Sequence, residues 1–153
     1  MNKIRQAAAT VVFWTTWPGL WLILRWSTRT RLLIICGDDF LVLQGWLSIG
    51  DWGLPGGGLH RREPIVTGLL REVREETGIV LAQDKVMPAF VGIARDKGIQ
   101  FKYHAFYVVL PKRPTIKKQV REISAFAWQP INNPTLRLNN DTRAILGWWL
   151  NNR

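Results

Sequence analysis

The sequence predicts an α/β fold, a mixed central sheet with helices packed on both faces, and three observations carry that prediction. Apolar runs bounded by turn residues recur at 31–36, 40–44, 86–94, 101–110 and 123–129, which is the pattern of strands. Between the second and third of these, Val66, Leu69, Leu70 and Val73 repeat at the three-and-four spacing of one helical face. A second helix closes the chain, capped at Asn140 or Asp141 and running through Trp148.

Taken in order, residues 1–27 form an apolar N-terminal segment and residues 28–153 a single catalytic-sized domain. Residues 7–24 carry no charge, while Lys3 and Arg5 precede them and Arg25, Arg29 and Arg31 follow. The run just reaches the length of a membrane span. Pro18-Gly19 interrupts it, however, and Trp14, Trp17, Trp21 and Trp26 are spread along it rather than held at two ends. Three readings stay open: a helix packed on the domain, an interfacial anchor, or a true span with the domain on the cytoplasmic side. The expected location is the cytoplasm, or the inner face of a membrane.

The strand at 31–36 turns through Gly37-Asp38-Asp39 into the strand at 40–44, making a hairpin. Residues 45–58 hold six glycines and Pro55, so they read as a loop with a short strand around Trp52. Pro64 suits the first turn of the helix that follows and Gly78 its C-cap. Residues 111–121 form a basic loop before the last strand. Cys36, the only cysteine, sits in an apolar run and reads as a buried thiol, with no disulfide partner and no zinc ligands around it. No repeat and no low-complexity tract is present, which excludes solenoids and disordered tails.

The net charge of +10 favours anionic partners: nucleotides, nucleic acid or phospholipid. The chemistry is concentrated on the central helix, where Glu72, Glu75 and Glu76 stand at i, i+3 and i+4 and therefore share one face. Such a cluster of like charges needs a compensating cation, and an all-oxygen set suits a hard divalent ion, Mg²⁺ or Mn²⁺. Gly68 lies one turn before Glu72 on that face, either because bulk would intrude on the site or as tolerated drift. The loop Pro55-Gly56-Gly57-Gly58 leads towards the helix, and its glycines let backbone approach a phosphate or offer a carbonyl to a metal.

Gly57, Glu63 and the run Arg71-Glu72-Val73-Arg74-Glu75-Glu76-Thr77-Gly78-Ile79 together resemble the Nudix box, G-x5-E-x7-R-E-U-x-E-E-x-G-U, with every defined position filled. The resemblance extends over about residues 30–150 and implies an α/β/α sandwich that hydrolyses a nucleoside diphosphate linked to a further moiety. Carried over to this chain, it implies that Glu75 and Glu76 bind the metal with the carbonyl of Gly56. Glu72 is then a further ligand or the general base, Arg71 holds Glu72, and Glu63 supports loop and helix. Glu122 resembles the distant acidic ligand of many members.

Gly57, Gly58, Lys112 and Lys117 are the candidate substrate contacts, the lysines belonging to a basic run with Arg113, Lys118 and Arg121. No aromatic residue interleaves with that run, so a dedicated nucleic-acid module is disfavoured. Trp46, Trp52, Phe101 and Tyr103 read as core rather than as base-stacking residues. His60 reads as a loop side chain and His104 as a strand one.

Subclass signals are missing: Pro88 comes too early for the ADP-ribose pattern, Tyr103 too late for the dinucleoside polyphosphate pattern, and residues 32–55 lack the coenzyme A pattern. Nucleoside triphosphates, sugar nucleotides and triphosphate RNA ends stay open as substrates, and no oligomeric state is implied. The rivals are a catalytically silent Nudix domain that binds nucleotide or RNA, and a membrane-attached hydrolase of lipid-linked pyrophosphates.

Overall fold

The first strand, β1 (Thr28–Cys36), organises everything else, because Leu32, Leu33, Ile34 and Ile35 are all buried although they alternate between the two faces of the sheet. A strand buried on both faces must be central and covered on each side. The computed structural model describes residues 28–45, 50–96, 99–117 and 123–153. The N-terminal segment 1–27, Trp46, Lys118, Arg121 and Glu122 lie outside the described residues.

Gly37, at φ 61°, turns β1 into β2 (Asp39–Gly45). Only Ile35 with Phe40 and Cys36 with Asp39 pair across that hairpin. Beyond this the two strands part, and the glycine-rich loop wedges between them. The Leu43 and Gly53 backbones exchange hydrogen bonds at 2.8 and 2.9 Å, while Leu32 N–H donates to Pro55 O at 2.9 Å and Thr30 N–H to Gly57 O at 2.8 Å. The expected short strand at Trp52 is reduced to isolated bridges, at Trp52 with Leu138 and at Gly53 with Leu43.

Strands β3 (Met87–Asp96) and β4 (Ile99–Val109) form an antiparallel pair, β4 runs parallel to β1, and β5 (Ile123–Pro130) runs antiparallel to β2. The order is β3-β4-β1-β2-β5, a mixed five-stranded sheet. Helix α1 (Ile65–Thr77) covers one face through Leu69 and Val73, which pack with Leu32, Ile34, Leu41 and Val108. Helix α2 (Asn140–Asn152) covers the other through Ile145 and Leu146, against Leu33, Ile35, Phe40 and Val42. Each of these aliphatic side chains contributes about 1.5–3 kcal/mol by leaving water, so the two layers hold the sheet from both sides. This is the α/β/α sandwich expected from the sequence.

Four details differ from expectation. Pro64 is the N-cap of α1, at φ −60° and ψ 140°, rather than a residue of its first turn, while Gly78 caps the other end at φ 73° as expected. Asn139, not Asn140 or Asp141, caps α2, its side chain accepting from Thr142 N–H. The helix also runs past Trp148 to Asn152, because Trp148 and Trp149 pack on Phe90 and Tyr107 at ring separations of 5.0–5.9 Å. Cys36 is half-buried, since it ends β1 where the hairpin opens to water. Phe101 and Tyr103 are core residues, His60 is an exposed loop side chain and His104 a half-buried strand one.

Candidate active site

Helix α1 places the carboxylates, and the wedge of loop between β1 and β2 brings the glycines to them. The loop runs antiparallel to the helix, so Gly56 meets Glu76, Gly57 meets Glu72 and Gly58 meets Arg71. Gly56 N–H donates to Glu76 Oε2 at 2.8 Å. Gly56 adopts φ 129° with Thr30 O only 2.3 Å from where a Cβ would sit, so glycine is required twice over. At Gly57 a Cβ would come within 2.3 Å of Glu72 Oε2, and the carboxylate occupies the space a side chain would take.

Arg71 is the hub. Its Nε and Nη2 make a fork onto Glu63 Oε1 and Oε2 at 2.9 and 3.0 Å, and Nη2 also reaches Gly58 O at 3.2 Å. Its Nη1 donates to Glu72 Oε1 at 2.6 Å and to Glu75 Oε2 at 3.3 Å. A planar five-donor guanidinium can serve three carboxylates and a carbonyl together, which a lysine cannot. The Arg71 hydrogen bonds, with a second from His60 N–H, hold the Glu63 carboxyl at about 2, well below its ordinary value. Pairing with Glu63 in turn raises the Arg71 pKa. Glu63 therefore ties the loop after Gly58 to the helix as a carboxylate. Gly68 is explained by the same contacts: a Cβ there would strike Leu59 Cδ2 at 2.4 Å and Glu63 Oε2 at 2.8 Å. Bulk at Gly68 would displace the ends of the Leu59 and Glu63 side chains, which favours the first of the two readings.

A pair that sequence reading passed over completes the frame. Arg31, buried at the inner side of the loop, donates from Nε to Asp141 Oδ2 at 2.7 Å and from Nη1 to Gly56 O at 3.0 Å and Thr30 O at 3.1 Å. The contact seen for the Gly56 carbonyl is thus with Arg31, and it is the Gly56 N–H that faces the carboxylates. The available signal was a charge inside a strand buried on both faces, which requires an acidic partner somewhere in the chain. A recess of about 150 Å³ opens beside Arg31 and Asp141, and a groove of about 480 Å³ lies beside Glu75, walled by Leu70, Arg71, Arg74, Val80 and Leu81.

The lysines are divided. Lys117 stands at the C-terminal end of α1, its N–H donating to Thr77 O at 2.8 Å and its Cβ beside Gly78. Lys112 is not brought to the glycines. It follows Leu110, whose N–H binds Ile35 O, whereas Gly57 binds at Thr30, five residues or about 17 Å away along β1. Its neighbour Arg113 pairs with Asp39 and lies over the Trp128 ring at 5.2 Å, so this part of the basic run belongs to the hairpin end.

Among the described residues, no group of three carboxylate, histidine or cysteine side chains converges as it would around a bound ion. Glu72 and Glu75 are drawn towards Arg71 instead. The donor set nonetheless suits a hard divalent cation: three carboxylates on one helical face, all oxygen, and a loop stripped of side chains beside them.

This sandwich, with an acidic helix clasped by a glycine loop, defines an α/β/α fold with a carboxylate site suited to a hard cation. The family model for the NUDIX domain matches residues 26–149, and the chain belongs to that family, the Nudix hydrolases. It is 40% identical over 91 residues to Nudix hydrolase 6 of Arabidopsis thaliana, a match that takes in 54% of this chain and 29% of that protein. The chain thus spans less than a third of that curated relative. Its fold is similar to a MutT NUDIX hydrolase from Burkholderia pseudomallei, with a TM-score of 0.72 and 21% identity, covering 80% of this chain and 97% of that one. It is also similar to the NUDIX domain of Shewanella oneidensis NrtR, solved in complex with ADP ribose, with a TM-score of 0.70 and 17% identity over 81% of this chain and 86% of that one.

Proposed function

We propose that this chain is a Mg²⁺- or Mn²⁺-dependent pyrophosphohydrolase that cleaves a nucleoside diphosphate linked to another moiety, such as a nucleoside triphosphate or a sugar nucleotide. The observation that carries the reading is the clasp of Gly56 and Gly57 on Glu76 and Glu72, which holds the acidic face of α1 against backbone with no side chain between.

Glu72, Glu75 and Glu76 would hold the cation. When bound, it neutralises pyrophosphate oxygens and helps to generate the attacking hydroxide from water. The protein supplies the rest. Arg71 sets the position of Glu72 through its 2.6 Å contact, leaving the second oxygen of that carboxylate as a further ligand or as the base that takes a proton from water. Glu63 keeps Arg71 in place, so it acts by positioning. Gly58 lies beside open space where a phosphate could approach backbone, Gly57 yields its side-chain space to Glu72, and Lys117 adds a cation at the same end of the helix as Glu76. Glu122 is proposed as a further ligand on its resemblance alone, and the domain is assigned to the cytoplasmic side.

ADP ribose in the complex of the Shewanella domain supports a nucleotide-type substrate. A silent, nucleotide-binding Nudix domain would be expected to lack a box carboxylate, and this chain keeps Glu72, Glu75 and Glu76. The test is a panel of nucleoside di- and triphosphates, sugar nucleotides, ADP ribose and 5′-triphosphate RNA, with and without Mg²⁺ or Mn²⁺. Metal-dependent release of a nucleoside monophosphate or its equivalent is expected. Saturable binding with no turnover on any member, with either metal, would leave the sensor reading in its place.

A further inference from the structure

We propose that the recess beside Arg31 and Asp141 is a specificity subsite, which takes a phosphate or carboxylate borne by the substrate away from the scissile pyrophosphate. The subsite rests on the hydrolase reading and narrows its substrate class to nucleotides that carry one anionic group more. The recess lies on the α2 side of the glycine loop, between Phe101, Leu138 and the start of the helix. At about 150 Å³ it is half the size of the smallest cavities that enclose a whole ligand, about 300 Å³, so it admits one group rather than a nucleotide.

What the recess offers depends on which of its polar atoms are already engaged. Arg31 lines it and is 9% exposed, with Nε on Asp141 and Nη1 on Thr30 O and Gly56 O, so among the described residues Nη2 keeps its donors. Both Asp141 oxygens are engaged, Oδ2 by Arg31 and Oδ1 by Thr142 N–H at 3.0 Å. The amide oxygens of Asn139 and Asn140 are engaged as well, by Thr142 N–H at 3.0 Å and by Arg143 Nη2 at 2.5 Å, which leaves the donor half of each amide. At the rim Asp51 is matched by Arg137 at 2.7 Å, while exposed Arg143 has no carboxylate partner among the described residues. The acceptors are spent, the donors are not, and the surplus charge is positive. That lining suits an anion rich in acceptors, whereas an uncharged group would leave the surplus unmet.

The recess is also close to the acidic face of α1. Gly56 joins the two, with its N–H on Glu76 Oε2 at 2.8 Å and its O on Arg31 Nη1 at 3.0 Å. One residue separates those contacts, so Arg31 Nη1 lies no more than about 10 Å from Glu76 Oε2. A pyrophosphate held at Glu72, Glu75 and Glu76 thus leaves the nucleoside or sugar half of the substrate long enough to enter the recess.

Titration of inorganic phosphate into the metal-free full chain, followed by amide NMR, tests the recess without turnover. Saturable shifts are expected at Asn140, Asp141, Arg143 and the Arg31 Nε–H, with a dissociation constant at least about fivefold larger in Arg143→Gln. Asn140→Asp puts a carboxylate at the rim and suits the first turn of a helix, so it should weaken binding likewise with no loss of melting temperature. Kinetics supply the second arm. ADP ribose 2′-phosphate differs from ADP ribose by a phosphate on the nucleoside half, and UDP-glucuronate from UDP-glucose by a carboxylate on the other half. In one pair kcat/KM is expected to favour the anionic member by about tenfold or more, and Arg143→Gln to bring that ratio within about threefold of one. The pair that responds identifies the half that lies on the α2 side. Phosphate shifts that are linear, that lie only at Gly58 and Lys117, or that persist unchanged in Arg143→Gln overturn the subsite. Equal kcat/KM within both pairs overturns it too, as does failure to hydrolyse either anionic member while other nucleotides are turned over. Saturable binding at the recess with no hydrolysis of any nucleotide, under either metal, leaves the subsite standing and overturns the hydrolase reading instead.

Discussion

Gly57→Ala isolates the contribution of one carboxylate position without altering net charge or the core. Gly57 has no left-handed backbone requirement, so alanine is tolerated by the chain itself. The added methyl would lie 2.3 Å from Glu72 Oε2 and 2.5 Å from its carboxyl carbon. Restoring ordinary contact moves the carboxylate by about 1 Å, and a displacement of that size at a reacting group costs on the order of 100-fold in rate. Because Glu72 also binds Arg71 Nη1 at 2.6 Å, the shift works against a fixed partner.

Gly147→Ala on α2, outside the site, is the comparison, since its Cβ would also meet nothing within 4 Å. The assay is steady-state turnover of the best substrate from the panel at saturating Mg²⁺, with thermal melting alongside. Turnover should fall about 100-fold for Gly57→Ala and less than about threefold for Gly147→Ala, with neither melting below the parent. Equal losses for the two variants, or parent turnover for Gly57→Ala, would refute the steric reasoning.

Glu75→Gln removes charge from a side chain that is 55% exposed and outside the core, so kcat should drop at least about 100-fold while circular dichroism stays unchanged. Near-parent kcat across a Mg²⁺ titration would remove Glu75 from the ligand set. Arg31→Met leaves Asp141 buried without its cation, and urea unfolding should show a loss of about 3–5 kcal/mol. A loss under about 1 kcal/mol would mean the pair is solvated in the folded protein. The Glu63 carboxyl, lowered from 4.5 to about 2, is more acidic folded than unfolded. Its contribution to stability is therefore present above pH 4.5 and is lost as pH falls towards 2. Carbon-detected NMR titration of Glu63 with a midpoint near 4.5 would contradict the Arg71 fork.

Local signals explain why so much of the site was legible. The box places Glu63, Arg71, Glu72, Glu75 and Glu76 within one loop and one helix, and helical geometry alone puts the last three on one face. Gly78 at φ 73° and the apolar face through Leu69 and Val73 follow from the same short-range rules. The wedge of residues 53–57 between β1 and β2 was read only as a loop, because its hydrogen bonds go to Thr30, Leu32 and Leu43 rather than to neighbours in sequence. Arg31 with Asp141 was missed for a stronger form of the same reason, being 110 residues apart. Composition made Lys112 look like a phosphate contact, but the register of β4 on β1 carries it to the hairpin end.

Gly56 links the last of these pairs to the chemistry. One of its polar groups is held by Glu76 on the acidic helix, the other by Arg31, and Arg31 is anchored by Asp141 in the first turn of the closing helix. The closing helix is thus tied to the acidic face through a residue with no side chain of its own, beside the Leu54 N–H that donates to Thr142 Oγ1 at 3.2 Å. A variant that shifts that helix while the domain stays folded is expected to alter turnover, with thermal melting measured alongside.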